Sequence, residues 1–207
     1  MRQATPLLVT VAILLAGCSG QEPGSPSLAP TATGQSPSGT SEPTSAPNNG
    51  APKVENPLDI SRFQQAPCEV LTSEQVTRIF NAKVSPEPDI NGPSGPACSW
   101  SAGLPTKASV SVIFPKVYDG LSAIYGNGDR ARLFEVLDPV AGYPAVASSI
   151  YDDPRTTGAC PVIVGTSDTT AVNVNIQLSE DKVGEADPCQ AAHDVAAMVI
   201  SNIKGAN

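Results

Sequence analysis

The chain predicts an α+β fold: an antiparallel sheet covered by helices on one side, held by two disulfides, after a disordered tether. Three observations carry this. Val172, Val174, Ile176 and Leu178 alternate with Asn173, Asn175 and Gln177, as in a strand with one buried and one wet face. Ala192, Val195, Ala196, Val199 and Ile203 instead recur at helical spacing and form one apolar stripe. Four cysteines, Cys68, Cys98, Cys160 and Cys189, lie in the same stretch of chain, an even number that suits an exported, disulfide-stapled domain.

The N-terminus supplies the reason to expect export. Met1-Arg2 gives a minimal positive start, Leu7 to Ala16 is almost wholly apolar, and Leu15-Ala16-Gly17-Cys18 closes the segment. Small residues before a cleavage point mark a secretory signal. A cysteine directly after them has the form of a lipobox, so residues 1–17 read as a lipoprotein signal peptide. Cys18 is then the expected lipidation site, diacylglycerylated, palmitate among its acyl groups, and the mature N-terminus. The apolar run is about half the roughly 20 residues that a membrane-spanning helix needs. Two or three acyl chains would anchor stably instead. The expected location is the extracytoplasmic face of the cell membrane.

Charge narrows the partners. The whole chain carries a formal net charge of -8, and the mature one loses only Arg2, which gives -9. Lys and Arg are scattered singly. An acidic chain without a basic cluster excludes nucleic acid, and it would be mildly repelled by anionic headgroups rather than lie on them.

Residues 18–57 are rich in Ser, Thr, Pro, Gly, Ala and Asn, too poor in large apolar residues to offset the entropy of ordering. They read as a tether, spanning about 35 Å r.m.s. if flexible. The Ser/Thr-Pro clusters are alternatively sites for O-glycans. Residues 58–207 form one globular domain, its folded part running from about Leu58 to Lys204.

Within it, Thr72 and Gln75 form a capping box, Leu71 staples to Val76, and Val76, Ile79 and Phe80 share a helix face. A short strand around Lys83 to Ser85 should end at Pro86 and Pro88. The Asn91–Pro96 stretch is turn-rich. Cys98-Ser99-Trp100 and Ala108 to Phe114 read as strands. Asp119 can cap a helix bearing Leu121, Ile124 and Tyr125 that stops at Asn127-Gly128. A less regular stretch follows, with Leu133, Phe134, Val136 and Leu137 as core. Ala145 to Tyr151, Ala159 to Gly165 and Val172 to Leu178 are further strands. Asp187 caps the last helix, with Pro188 at its first position and Gln190 completing a box. The order helix, strands, helix, strands, helix is that of an α+β domain.

Four cysteines allow three pairings. Spacing suggests Cys68–Cys98 and Cys160–Cys189, two loops of similar size, each stabilising by about 3–4 kcal/mol on the loop-entropy account. No two of the four are close enough in sequence for a zinc site, so no metal is expected.

Pro67-Cys68 ahead of Leu71, Cys98-Ser99-Trp100, Gly142-Tyr143-Pro144-Ala145, Cys160-Pro161 and a last cysteine before an Ala/Val helix form an ordered pattern. Together with the lipobox and the Ser/Pro-rich tether, it is similar to the actinobacterial lipoproteins grouped as domain of unknown function 3558. The resemblance covers the whole mature domain. It implies an actinobacterial, Gram-positive source and two disulfides. It implies no activity and no cofactor, and it carries over no catalytic residue.

The residues themselves name no reaction. His193 is the single histidine, beside the apolar stripe of the last helix, and no G-x-S-x-G elbow supplies a nucleophile. Asp152-Asp153 offers too few oxygens for a Ca²⁺ loop and reads as a solvated turn. Glu180, Asp181, Glu185 and Asp187 suit the N-terminal dipole of the last helix. Trp100 reads as packing on a disulfide, or otherwise as a platform in a groove to which Tyr118, Tyr125, Tyr143 and Tyr151 could add. No catalytic residue is expected.

The functional expectation is a membrane-anchored extracytoplasmic lipoprotein acting as a non-catalytic interaction module of the cell envelope. Its partner would be an envelope protein or other component. The alternative is a carrier of a lipid or small apolar ligand in a helix–sheet pocket of about 300 Å³ or more.

Overall fold

The computed structural model describes residues 48–104, 106–116 and 119–207. Cys18, the 1–17 segment and most of the 18–57 stretch therefore lie outside the described residues, as does Tyr118. Seven strands form one antiparallel sheet: β1 (Pro86–Asp89), β2 (Ala97–Ser101), β3 (Ser109–Ile113), β4 (Leu133–Val140), β5 (Tyr143–Ser149), β6 (Ala159–Gly165) and β7 (Ala171–Gln177). Among the described residues four α-helices accompany them: α1 (Ser61–Gln65), α2 (Ser73–Phe80), α3 (Ser122–Tyr125) and α4 (Pro188–Ala206). The spatial order is β1-β2-β3-β7-β6-β5-β4. Two meanders, β1–β3 and β4–β7, thus meet where β7 pairs with β3.

Side-chain alternation decides what lies on each face. Val110 and Val112 of β3, Val172, Val174 and Ile176 of β7, and Val162 and Val164 of β6 join one buried cluster with Val195, Val199 and Ile203 of α4. Phe63 of α1 stacks on Phe114, ring centroids 6.1 Å apart, at the β3 end of that cluster. Intervening residues point the other way. Val146 and Ile163 meet Leu121 and Ala51 there in a second, smaller cluster that includes Ile124, Tyr125 and Phe134.

Both disulfides have the sequential pairing. Cys68–Cys98 ties the turn before α2 to β2, and Cys160–Cys189 ties β6 to the first turn of α4. Asp187 caps α4 by accepting from the Cys189 and Gln190 amides. Gln190 does not complete the box, because its side-chain amide donates to Asp194 instead. The Thr72–Gln75 capping box of α2 is present on both arms.

Four further expectations need correction. Packing starts before Leu58: Ala51 and Val54 are buried, and the Val54 amide donates to Asp168; Ala51 joins Leu121 over Val146 and Ile163 of the sheet, and Val54 belongs to the main cluster. The first strand is Pro86–Asp89 rather than Lys83 to Ser85; an edge strand tolerates proline where its missing N–H faces outward. Asp119 does not cap α3 through its side chain; its main-chain carbonyl accepts from the Ser122 amide. The stretch from Leu133 is an edge strand, β4, in which Val136 is 59% exposed rather than core.

Candidate functional site

A cleft of about 660 Å³ lies between α2, α4 and the adjacent end of the sheet. Its floor is the cross-strand pair Val110–Ile176 of β3 and β7. Period-two alternation puts both side chains on the α4 side of the sheet. Ala191 and Val195, one turn apart on α4, form one wall; Ile79 and Phe80 at the end of α2 form the other. Leu104 overhangs from the β2–β3 connection and is 81% exposed. Ser179, Asp181 and Lys182 supply polar groups at the rim.

Local structure holds the walls apart. Asn81 ends α2 in the left-handed conformation, φ 51°, directly after the half-buried Phe80. The Cys160–Cys189 bridge fixes α4 at its N-terminal turn, close to Ala191. The Asn202 amide donates to the Val70 carbonyl at 2.7 Å and to Gln75 Oε1 at 2.7 Å, joining the start of α2 to the far part of α4.

The residues singled out from sequence do not converge on it. Trp100 is 2% exposed inside the main core, so it packs rather than forming a platform. Tyr125 meets Phe134 edge-on in the second cluster, and burial pushes its phenol upward in pKa. The Tyr143 hydroxyl donates to the Asn56 carbonyl at 2.8 Å, while Tyr151 stands free on the surface. His193 Nε2 lies 3.1 Å from the Asp138 main-chain carbonyl, in a separate hollow between β4 and α4. That hollow is also lined by Glu135, Asp138, Asp187 and the disulfide-bonded Cys189, with no hydroxyl side chain among its described lining.

The acidic groups have structural partners. Asp153 caps the 154–157 turn and takes hydrogen bonds from Arg155, whose guanidinium holds its carboxyl below the usual range. Ser149 donates to Asp152, and Lys107 pairs with Glu180 at 2.6 Å. No group of three or more metal-ligating side chains gathers among the described residues. Sequence reasoning offered a helix–sheet pocket as an alternative but not its lining, which comes from α2, β3, β7, α4 and the connections between elements. Leu104, a large apolar side chain in a turn-rich connection, was the one local sign.

No curated protein and no solved structure matches the chain. The model of the family described as protein of unknown function (DUF3558) matches residues 13–202, nearly the whole sequence, and the chain belongs to that family.

Proposed function

We propose that this chain is a non-catalytic binding module of the cell envelope, held to the extracytoplasmic face of the membrane by acyl chains on Cys18. Its binding site is the α2–α4 cleft. The observation that carries this reading is the cleft itself: about 660 Å³ of open space over an apolar floor, within the range of ligand pockets. Its apolar walls favour an apolar group of an envelope component, and its Ser179, Asp181 and Lys182 rim favours a polar group at the mouth. The same volume favours a second reading, a carrier that holds a whole lipid or small apolar ligand.

Filling the cleft tests both. Ala191 is half-buried on its wall, so Ala191→Trp should block the space while leaving the core behind it intact. The full-length chain, purified from membranes in mild detergent, is examined by native mass spectrometry beside the variant. A bound lipid-sized mass lost in Ala191→Trp supports the carrier. A clean mass with an envelope protein captured only by the wild type supports the interaction module. Binding unchanged by Ala191→Trp in either assay removes the cleft as the site.

A further inference from the structure

The two edges of the sheet differ in what they offer another strand. Pro86 and Pro88 occupy alternate positions of β1, so its outer side lacks N–H donors there. Glu87 and Asp89 add charge to that edge, and the combination discourages pairing. The opposite edge, β4, has its only proline at Pro139, where the register with β5 shifts. His193 covers the Asp138 carbonyl at the same end. From Leu133 to Leu137 no strand lies beyond β4 among the described residues.

That open stretch has a symmetric pattern. Arg132-Leu133-Phe134-Glu135-Val136-Leu137-Asp138 reads cation, apolar, apolar, acid, apolar, apolar, acid. We infer that β4 is a self-association edge, along which two copies pair antiparallel about a two-fold axis at Glu135. In this register Arg132 of one copy faces Asp138 of the second, Leu133 faces Leu137, and Phe134 faces Val136. A two-fold interface requires a surface complementary to itself, and this segment supplies both charge and apolar complementarity.

The surroundings fit. Neither Arg132 nor Asp138 forms an ion pair within the described chain. Val136 is 59% exposed although its cross-strand neighbour Val146 is fully buried; the second copy's Phe134 would cover it. Glu135 would oppose itself across the axis, a repulsive arrangement when unscreened. Arg155 lies 2.9 Å from Glu135 in each copy, so two guanidiniums accompany the two carboxylates. Pairing extends the seven-stranded sheet into one continuous sheet across the dimer.

Sedimentation velocity of the full-length chain in a non-ionic detergent, over a concentration series, reads this directly. The wild type should show a monomer–dimer equilibrium. Arg132→Asp and Asp138→Arg should each weaken it by about tenfold, since each creates two like-charge contacts per dimer. The double reversal should restore the wild-type equilibrium, and Glu87→Arg on β1 should leave it unchanged. Buried Trp100 reports by its fluorescence that each variant is folded. A monomer at every concentration overturns the inference. So does a dimer that both reversals leave intact, or a double variant no stronger than the singles.

Discussion

Gln75 and Asn202 face each other where α2 meets α4 and exchange side-chain amide hydrogen bonds, Asn202 Nδ2 to Gln75 Oε1 at 2.7 Å and Gln75 Nε2 to Asn202 Oδ1 at 3.2 Å. Gln75 Oε1 also accepts the Thr72 amide at 2.8 Å, so one side chain closes the capping box and clasps the neighbouring helix. Asn202 extends the network to the Val70 carbonyl, on a residue with no solvent exposure.

Replacing Asn202 with Ala should therefore cost more than one ordinary hydrogen bond, because a buried carbonyl loses its donor. We expect about 1–3 kcal/mol from urea unfolding followed by Trp100 fluorescence. Gln75→Ala should cost less, about 1 kcal/mol, mainly through the lost box. The two share the network, so the double variant should lose less than the sum of the singles. Additive losses would show the clasp to be incidental.

The bridges should differ in what they release. Cys160 and Cys189 are both buried and join the sheet to the helix that forms one wall of the cleft. Replacing both with Ala should destabilise the domain by about 2–5 kcal/mol and weaken whatever binds beside Ala191. The Cys68–Cys98 pair should cost a similar amount, because its loop is of similar length, 30 residues apart against 29, but it should affect cleft binding less. Denaturation curves with matched ligand titrations separate the two effects.

The large elements were legible because their periodicity is long and uninterrupted: β6 over Ala159–Gly165 and α4 from Pro188 onward lie where alternation and the Asp187 cap put them. The short or edge elements were not. Pro86 and Pro88 read as strand breakers because a sequence does not reveal which strand is at an edge. Val136 read as core because apolar character alone does not say whether a second layer covers it. The 48–57 segment looks like tether by composition, yet two small apolar residues dock it, Ala51 in the cluster over Val146 and Ile163 of the sheet and Val54 in the main core. The lining of the cleft was illegible for the same reason: Phe80, Leu104, Val110 and Val195 are far apart in the chain and come together only in the folded domain.

Acid should loosen the connection between β5 and β6. The Arg155 guanidinium holds the Asp153 carboxyl below its ordinary range. A carboxyl with a lowered folded-state pKa adds stability that is complete above its unfolded value of about 4. That contribution fades as pH falls through the lowered folded value. Thermal unfolding should show a decline in Tm below about pH 4, and Asp153→Asn should remove part of that decline. Asparagine can still cap the 154–157 turn, so the variant isolates the charge. An identical pH profile would mean that the Arg155 contact stabilises nothing measurable.

The β4–β5 hairpin carries a strain that one substitution should relieve. Val140 pairs with Tyr143 across a two-residue turn, Ala141-Gly142, whose φ values are 49° and 92°. Positive φ at both central positions belongs to the tight turn that matches strand twist, and it favours Asn-Gly over Ala-Gly. Alanine in the left-handed region suffers a clash of its Cβ with the backbone that asparagine tolerates better. Ala141→Asn should stabilise the domain by about 0.5–1 kcal/mol, and the Lys204 ammonium can still donate to the carbonyl of residue 141. Gly120→Ala should act in the opposite direction and more strongly. Gly120 also has positive φ, 51°, and an added Cβ would lie 2.6 Å from the Asp168 carbonyl oxygen. Because Asp168 also accepts the Val54 amide, that clash should loosen the 48–57 segment, visible as faster proteolysis there. A Gly120→Ala chain as protease-resistant as wild type would show that the segment is held by burial of Ala51 and Val54 alone.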